Sequence, residues 1–397
     1  MPELENLRYG ALVLAVLLGA IIGSFSNVLI YRIPRKESIA FPPSRCPNCG
    51  HRLSVLDLIP ILSWLSLRGR CRYCQAPISS RYPWIEATMA LGYGLLAYTF
   101  PLHIVGLTLL GLFVFFTILI VASAIDLEHF EIPDVLSLGG ALVGIGFAAL
   151  GTRMGNPTLM GFPNLEAALS GATLAAGIMV MIGNYGSWVL RRFSEPRFPD
   201  YPIGFMQVNL AALTGLVLAL LGIPSATLWA LVLTLVSVAV NAFAKRVIRI
   251  PDALTLGGLV LAVFASILFF PSAVAGQTLI SALASSLQAA GAISLLAGLY
   301  YWFSNPDEEA EGDPIALGFG DTKLMGLIGA FLGWEKALVS VGLGIFAGAF
   351  IGVIVQLVTR QLFRKKPMPF GPFLAFGAIV SLFYGQIILD RLIDFYT

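Results

Sequence analysis

Apolar runs of membrane-spanning length recur along almost the whole chain, and no other feature limits its fold so strongly. A bilayer crossing by a helix needs about 20 mostly apolar residues. Twelve runs meet or approach that length, near 9–31, 84–101, 105–125, 134–150, 166–190, 204–222, 226–243, 252–270, 277–303, 319–333, 337–359 and 371–390. The run at 319–333 is short and glycine-rich, and its place in the count rests on parity. Only 12% of the 397 residues are charged, against about 25% in an average soluble domain. Mean hydropathy is +0.86. A soluble globular domain, a disordered chain, a collagen and a coiled coil are all excluded by this composition. The expected fold class is an all-α polytopic membrane protein with about twelve transmembrane helices and one small water-exposed domain. No signal cleavage site follows the first run, so it reads as a retained anchor.

Lys and Arg set the orientation, because they are retained on the cytoplasmic side. With the loop 33–83 placed inside, 20 of the 24 basic residues fall on inner loops, and only Arg8, Arg153, Lys336 and Arg391 fall outside. A wrong number of crossings would scramble that division. Both termini then face outward.

The loop between the first two runs holds all four cysteines: Cys46, Cys49, Cys71 and Cys74. Each C-x-x-C pair can place two thiolates on one turn, and two such knuckles complete a tetrahedral Zn²⁺ site. Gly50 follows the first pair and suits the turn. A cytoplasmic loop argues against disulfides. A four-cysteine site is closed and structural, and about 50 residues bury too little core to fold unaided. His51, next to the first pair, reads as a neighbour of the site rather than a ligand.

Ionisable groups at the ends of spans are costly and mark function. Asp126 lies in AIDLEHFEIPD, and Asp134 opens the run that follows. Asp321 lies in GFGD between Gly318, Gly320 and Lys323. Glycines there allow close approach of another backbone. Two carboxylates brought together share a proton, one serving as general base on a water and the other as general acid. The competing reading of Asp126 and Asp134 is helix capping. Lys323 has two readings, a partner for a carboxylate or substrate and a side chain that snorkels to the interface.

These motifs resemble the type IV prepilin peptidases, a family of G-x-G-D aspartic membrane proteases. The resemblance rests on GSFSNVLIYRIP at 23–34, the cysteine-containing stretch 44–86, IDLEHFEIPD and GFGD, in the family's order. It implies a bifunctional enzyme. Its peptidase would cut the basic leader from type IV prepilins and type II secretion pseudopilins on the cytoplasmic side. Its methyltransferase would methylate the new N-terminal residue with S-adenosylmethionine. Asp126 and Asp321 match the family's catalytic aspartates, and the cysteine loop is associated with methylation. No residues for S-adenosylmethionine follow from spacing, although Glu86 is a candidate for the methylating site.

The chain departs from the family by about four extra runs between the aspartate motifs. They read as an internal repeat. Ile132, Pro133, Asp134, Leu136, Leu138, Gly139 and Gly140 recur 118 positions later as Ile250, Pro251, Asp252, Leu254, Leu256, Gly257 and Gly258. Gly204, Phe205, Leu210, Leu213 and Gly215 recur 114 positions later as Gly318, Phe319, Leu324, Leu327 and Gly329. Ala244 stands where Asp126 would recur, and Gln207 where Asp321 would precede itself. Each unit therefore keeps one aspartate of a composite pair. The expected organisation is a first helix (1–32), a zinc domain (33–83), a second helix (84–104), unit one with Asp126 (105–222), unit two with Asp321 (226–333) and a C-terminal hairpin (334–397).

The acidic loop Asp307, Glu308, Glu309, Glu311 and Asp313 precedes GFGD. It reads either as a solvated loop or as an attractor for a basic leader. Expected partners are prepilins, pseudopilins and lipid, with no nucleic acid. A transporter with same-orientation repeats and a zinc-ribbon module on an inert anchor are the competing functions.

Overall fold

The computed structural model describes residues 2–100, 102–153, 162–191, 202–244, 250–269, 272–304, 318–359 and 368–396. Among them the chain is helical, apart from the cysteine segment and short connections. The helices are α1 (Pro2–Arg32), α2 (Leu62–Ser66), α3 (Arg81–Thr99), α4 (Leu102–His129), α5 (Asp134–Arg153), α6 (Leu165–Arg191), α7 (Phe205–Leu220), α8 (Ala226–Ala244), α9 (Asp252–Phe269), α10 (Ser272–Ser304), α11 (Phe319–Thr359) and α12 (Gly371–Tyr396). Eight described helices are long and apolar enough to cross a membrane, and α7 and part of α9 form shorter apolar helices. In hydrocarbon every backbone polar group must be satisfied within its own segment, which is why the apolar runs become helices.

Helix α11 is broken at Gly333, whose φ of 76° and ψ of 174° no α-helix contains. Residues 319–332 run away from Asp321. Residues 334–359 run back beside α12, so that Lys336 lies against Ser381 and Gly352 against Met368. A left-handed glycine is the residue that permits this reversal.

The bundle has two apolar cores. One gathers Phe115, Leu119 and Ile125 of α4 with Leu327 and Phe331 of α11 and Leu374 of α12. Phe115 stacks on Phe331 with ring centroids 4.6 Å apart. The other gathers Val180 of α6, Leu216 of α7, Ala230 of α8, Leu256 of α9 and Ile293 of α10. Lipid provides no hydrophobic drive between helices, so close packing of small residues holds such a bundle. Helices α6 and α10 cross where Gly177 and Gly291 meet. A Cβ on Gly177 would lie 1.9 Å from the Leu287 carbonyl oxygen, and one on Gly291 would lie 1.8 Å from that of Thr173.

That crossing is reciprocal, since Thr173 and Gly177 stand 114 positions before Leu287 and Gly291. Other contacts pair up in the same way, at spacings of 114 positions and, for Gly140 and Gly258, of 118. Gly171 of α6 meets Gly329 of α11, while Ser285 of α10 meets Gly215 of α7. Gly140 of α5 faces Leu327 of α11, while Gly258 of α9 faces Leu213 of α7. The helix α7 thus packs on α9 and α10, and α11 packs on α5 and α6. Packing groups α7 with α8, α9 and α10, and α11 with α5, α6 and α12.

Candidate active site

The cysteine segment lies between the ends of α1 and α3. The four sulfur atoms lie within 4.8 Å of one another, and Cys46 Sγ is 3.9 Å from Cys74 Sγ. Metal–sulfur bonds of about 2.3 Å place tetrahedral ligands about 3.8 Å apart, so the cluster fits a Zn²⁺ ion. The two knuckles share one backbone pattern. Gly50 N–H donates to Cys46 O and Gln75 N–H to Cys71 O, and both Gly50 and Gln75 have positive φ. Only the first knuckle advertises this turn with a glycine. The N–H of Ala76 and the Asn48 amide draw the Cys74 thiol down, while, against the N–H of His51, burial and the neighbouring Cys46 and Cys74 sulfurs push the Cys49 thiol up. This is expected of crowded thiols that ionise together only on a metal. His51 is no ligand: its ring stacks on Tyr73 at 3.6 Å and its carbonyl accepts Cys46 N–H.

Asp57 clamps the two knuckles. It accepts from Ser54 N–H at 3.0 Å, Ser54 Oγ at 2.7 Å, Arg72 Nε at 2.7 Å and Tyr73 OH at 3.1 Å. Burial opposes its charge, but these donors prevail and hold its carboxyl well below the ordinary value of 3.8.

Asp126 lies in the last turn of α4 and Asp321 in the first turn of α11, and both carboxylates are buried. Ile132 sits against both of their surroundings. A Cβ on Gly320 would lie 3.1 Å from Ile132 Cβ, and one on Gly371 would lie 3.1 Å from Ile132 Cδ1. Gly371, the first residue of α12, donates its N–H to Asp126 Oδ2 at 2.9 Å. Sequence reasoning did not single out Gly371, although it stands in the Pro-Phe-Gly-Pro stretch 369–372. Gly318 N-terminal to Asp321 leaves open the space beside Asp321 Oδ2.

The two flanking charges have a different role. Lys323 pairs with Asp134 at the start of α5 and lies under the Phe319 ring. Lys323 is buried, so it does not snorkel. Asp134 is the first residue of α5 and carries this ion pair, while the first helical N–H groups donate to Pro133 O. Arg81 of α3 grips both oxygens of Glu128, two residues beyond Asp126, at 2.5 and 2.7 Å. The cysteine segment and the aspartates therefore share one end of the bundle. The acidic loop 307–313 lies outside the described residues.

Around Gln207, the counterpart of Asp321, the same framework is closed. Gln207 N–H donates to Gly204 O as Asp321 N–H does to Gly318 O. Met206 replaces Gly320, and its sulfur accepts the N–H of Ile250, the counterpart of Ile132. Asn209 replaces Lys323 and bonds Asn184 at 2.7 Å.

A family model described as the bacterial peptidase A24 N-terminal domain matches residues 17–100. One described as the type IV leader peptidase family matches 113–239 and 245–353. A prepilin leader peptidase/N-methyltransferase of Myxococcus xanthus is 44% identical over 36% of this chain and 42% of its own length. A type 4 prepilin-like proteins leader peptide-processing enzyme of Escherichia coli is 41% identical over 34% of this chain and 55% of its own. These two matches span about half of each relative. A prepilin leader peptidase/N-methyltransferase of Burkholderia pseudomallei is 26% identical over 94% of this chain and 85% of its own length. No solved structure matches the chain. All three relatives bear the names of leader-processing enzymes, which leaves the transporter reading without support.

Proposed function

Because this chain belongs to the type IV leader peptidase family, we propose that it cuts the leader from prepilins and pseudopilins and methylates the new N-terminus. What supports this reading is that two buried carboxylates, Asp126 and Asp321, from helices nearly 200 residues apart in sequence, both border Ile132, Asp126 through Gly371 and Asp321 through Gly320. One takes a proton from water, whose oxygen attacks the scissile carbonyl. The other gives a proton to the leaving nitrogen as the C–N bond breaks. Gly371 N–H fixes one oxygen of Asp126 for that task. Gly318 leaves room for an extended substrate backbone beside Asp321, whereas Gly320 lets α11 close on Ile132.

The pair is composite. Two copies of a four-helix unit exchange their fourth helices, so α11 of the second copy brings Asp321 to α4 of the first. The reciprocal Gly177–Gly291 crossing and the two stretches matched by one family model support this duplication. Counting α11 as two segments about Gly333, the chain crosses the membrane twelve times, with the aspartates and the cysteine domain facing the cytoplasm of a bacterial inner membrane. The arginine-rich loops support that sidedness.

Cys46, Cys49, Cys71 and Cys74 hold a structural Zn²⁺, which closes the domain between α1 and α3. S-adenosylmethionine, when bound, supplies the methyl group. The test is purified protein incubated with a prepilin, with and without S-adenosylmethionine, read by mass spectrometry. The expected products are the leader-free pilin and, with the donor, its monomethyl form. An uncut prepilin overturns the reading.

A further inference from the structure

Glu86 is a buried carboxylate that peptide cleavage leaves without a task. It stands in the second turn of α3, only 7% exposed. Its Oε2 accepts the N–H of Ile61, in the cysteine domain, at 2.6 Å. One N–H does not neutralise a buried carboxylate, whose isolation inside a membrane protein is costly. The cations near this end are engaged elsewhere. Arg81 is spent on Glu128, and Arg32 donates to the carbonyls of Ser38 and Pro42. No basic side chain pairs with Glu86 among the described residues.

A second acceptor stands beside it. Asn27 of α1 donates its amide nitrogen to Gly23 O and to Tyr82 O, which fixes the orientation of the amide. Its Oδ1 is left buried without a donor, in a side chain 2% exposed. Gly23 and Tyr82 each lie one turn from Asn27 and Glu86 on the paired helices. A Cβ on Gly23 would come within 2.7 Å of Glu86 Cα, so the two helices touch here. Glu86 and Asn27 Oδ1 are thus two buried acceptors short of donors, one of them charged, while the buried Nε of Arg81 belongs to a guanidinium held on Glu128 through Nη1. A primary ammonium, with three N–H donors and one positive charge, is the group that satisfies both acceptors.

We infer that Glu86, with Asn27 Oδ1, binds a primary α-ammonium where α1, α3 and the cysteine domain meet. Two sources carry that group: the N-terminus released by cleavage and the amino-acid end of the methyl donor. The released N-terminus is the expected occupant. The inference rests on the proposed function, which creates an α-ammonium at this end of the bundle. The Arg81–Glu128 clamp joins the first turn of α3 to the helix end that bears Asp126.

The full chain in detergent is titrated with a peptide of a mature pilin N-terminus, free or N-acetylated, and with S-adenosylmethionine or its analogue lacking the α-amine. The expected result is binding of the free-amine peptide at least tenfold tighter than the acetylated one, and loss of that preference in Glu86→Gln. A preference confined to the donor pair assigns the same site to the donor. Equal binding within both pairs by the wild-type chain overturns the inference, and this comparison does not depend on any variant folding. Asn27→Leu supplies a second variant, in which the preference is expected to shrink. Prepilin cleavage by the wild-type chain is followed in parallel. Its absence defeats the proposed function, whereas cleavage with equal binding defeats the ammonium site alone.

Discussion

The backbone N–H of Gly371 donates to Asp126 Oδ2 at 2.9 Å, joining the start of the last long helix to a carboxylate 245 residues earlier. A methyl group at Gly371 would lie 2.7 Å from that same oxygen and 3.1 Å from Ile132 Cδ1. Asp126 must move to admit it. Displacing a catalytic group by a fraction of an ångström to one ångström costs up to about 10²-fold in rate. Gly371→Ala is therefore expected to lower kcat/KM on a prepilin by about 10–100-fold, with the helical circular dichroism of the protein retained.

The Gly177–Gly291 crossing makes a second prediction. Each position lies under 2 Å from an opposing carbonyl oxygen once a Cβ is built. Gly177→Ala and Gly291→Ala each overpack the crossing, at about 1–3 kcal/mol. Both lower the unfolding temperature. Since the two residues share one contact, the double variant is expected to lose less than the sum of the singles.

Metal content tests the four-cysteine cluster. Purified wild-type protein is expected to carry one zinc per chain, and Cys71→Ser well under that, by elemental analysis. Removing zinc with a chelator is expected to expose the segment 44–78 to protease while the membrane helices stay intact, because the metal replaces the core that so short a segment lacks.

Asp57 makes that domain acid-sensitive. Its folded carboxyl lies below the ordinary value of 3.8, so its contribution is fully present above that value and is lost as pH falls toward the depressed one. Asp57→Asn removes the charge from the Arg72 and Tyr73 contacts at every pH, at a cost of about 1–3 kcal/mol. The wild-type domain is expected to lose zinc more readily as pH drops below about 4. The slope of zinc retention against pH is expected to flatten in Asp57→Asn.

Much of this fold was legible because membrane burial leaves few solutions. Apolar runs had to become helices, and Cys46, Cys49, Cys71 and Cys74 had one economical arrangement. The residues Ile132, Asp134, Gly318 and Gly320 were visible as punctuation at helix starts. The unseen features depend on partners remote in sequence. Gly371 has no chemistry of its own until its N–H meets Asp126. Lys323 had two readings, and only the fold places Asp134 opposite it. The break at Gly333 was one glycine among 41, and composition does not distinguish a turning glycine from a packing one. Met206 stands 114 positions before Gly320, and nothing in its apolar side chain announces that its sulfur accepts the N–H of Ile250.

Separate replacement of Asp126 and Asp321 by Asn, with cleavage of a prepilin followed by mass spectrometry, tests the composite pair most directly. Loss of the acid or base is expected to lower the rate by about 10²–10⁴-fold in each variant, with zinc content unchanged. Cleavage at the wild-type rate by either Asp126→Asn or Asp321→Asn would contradict the pairing of these two carboxylates as the peptidase site.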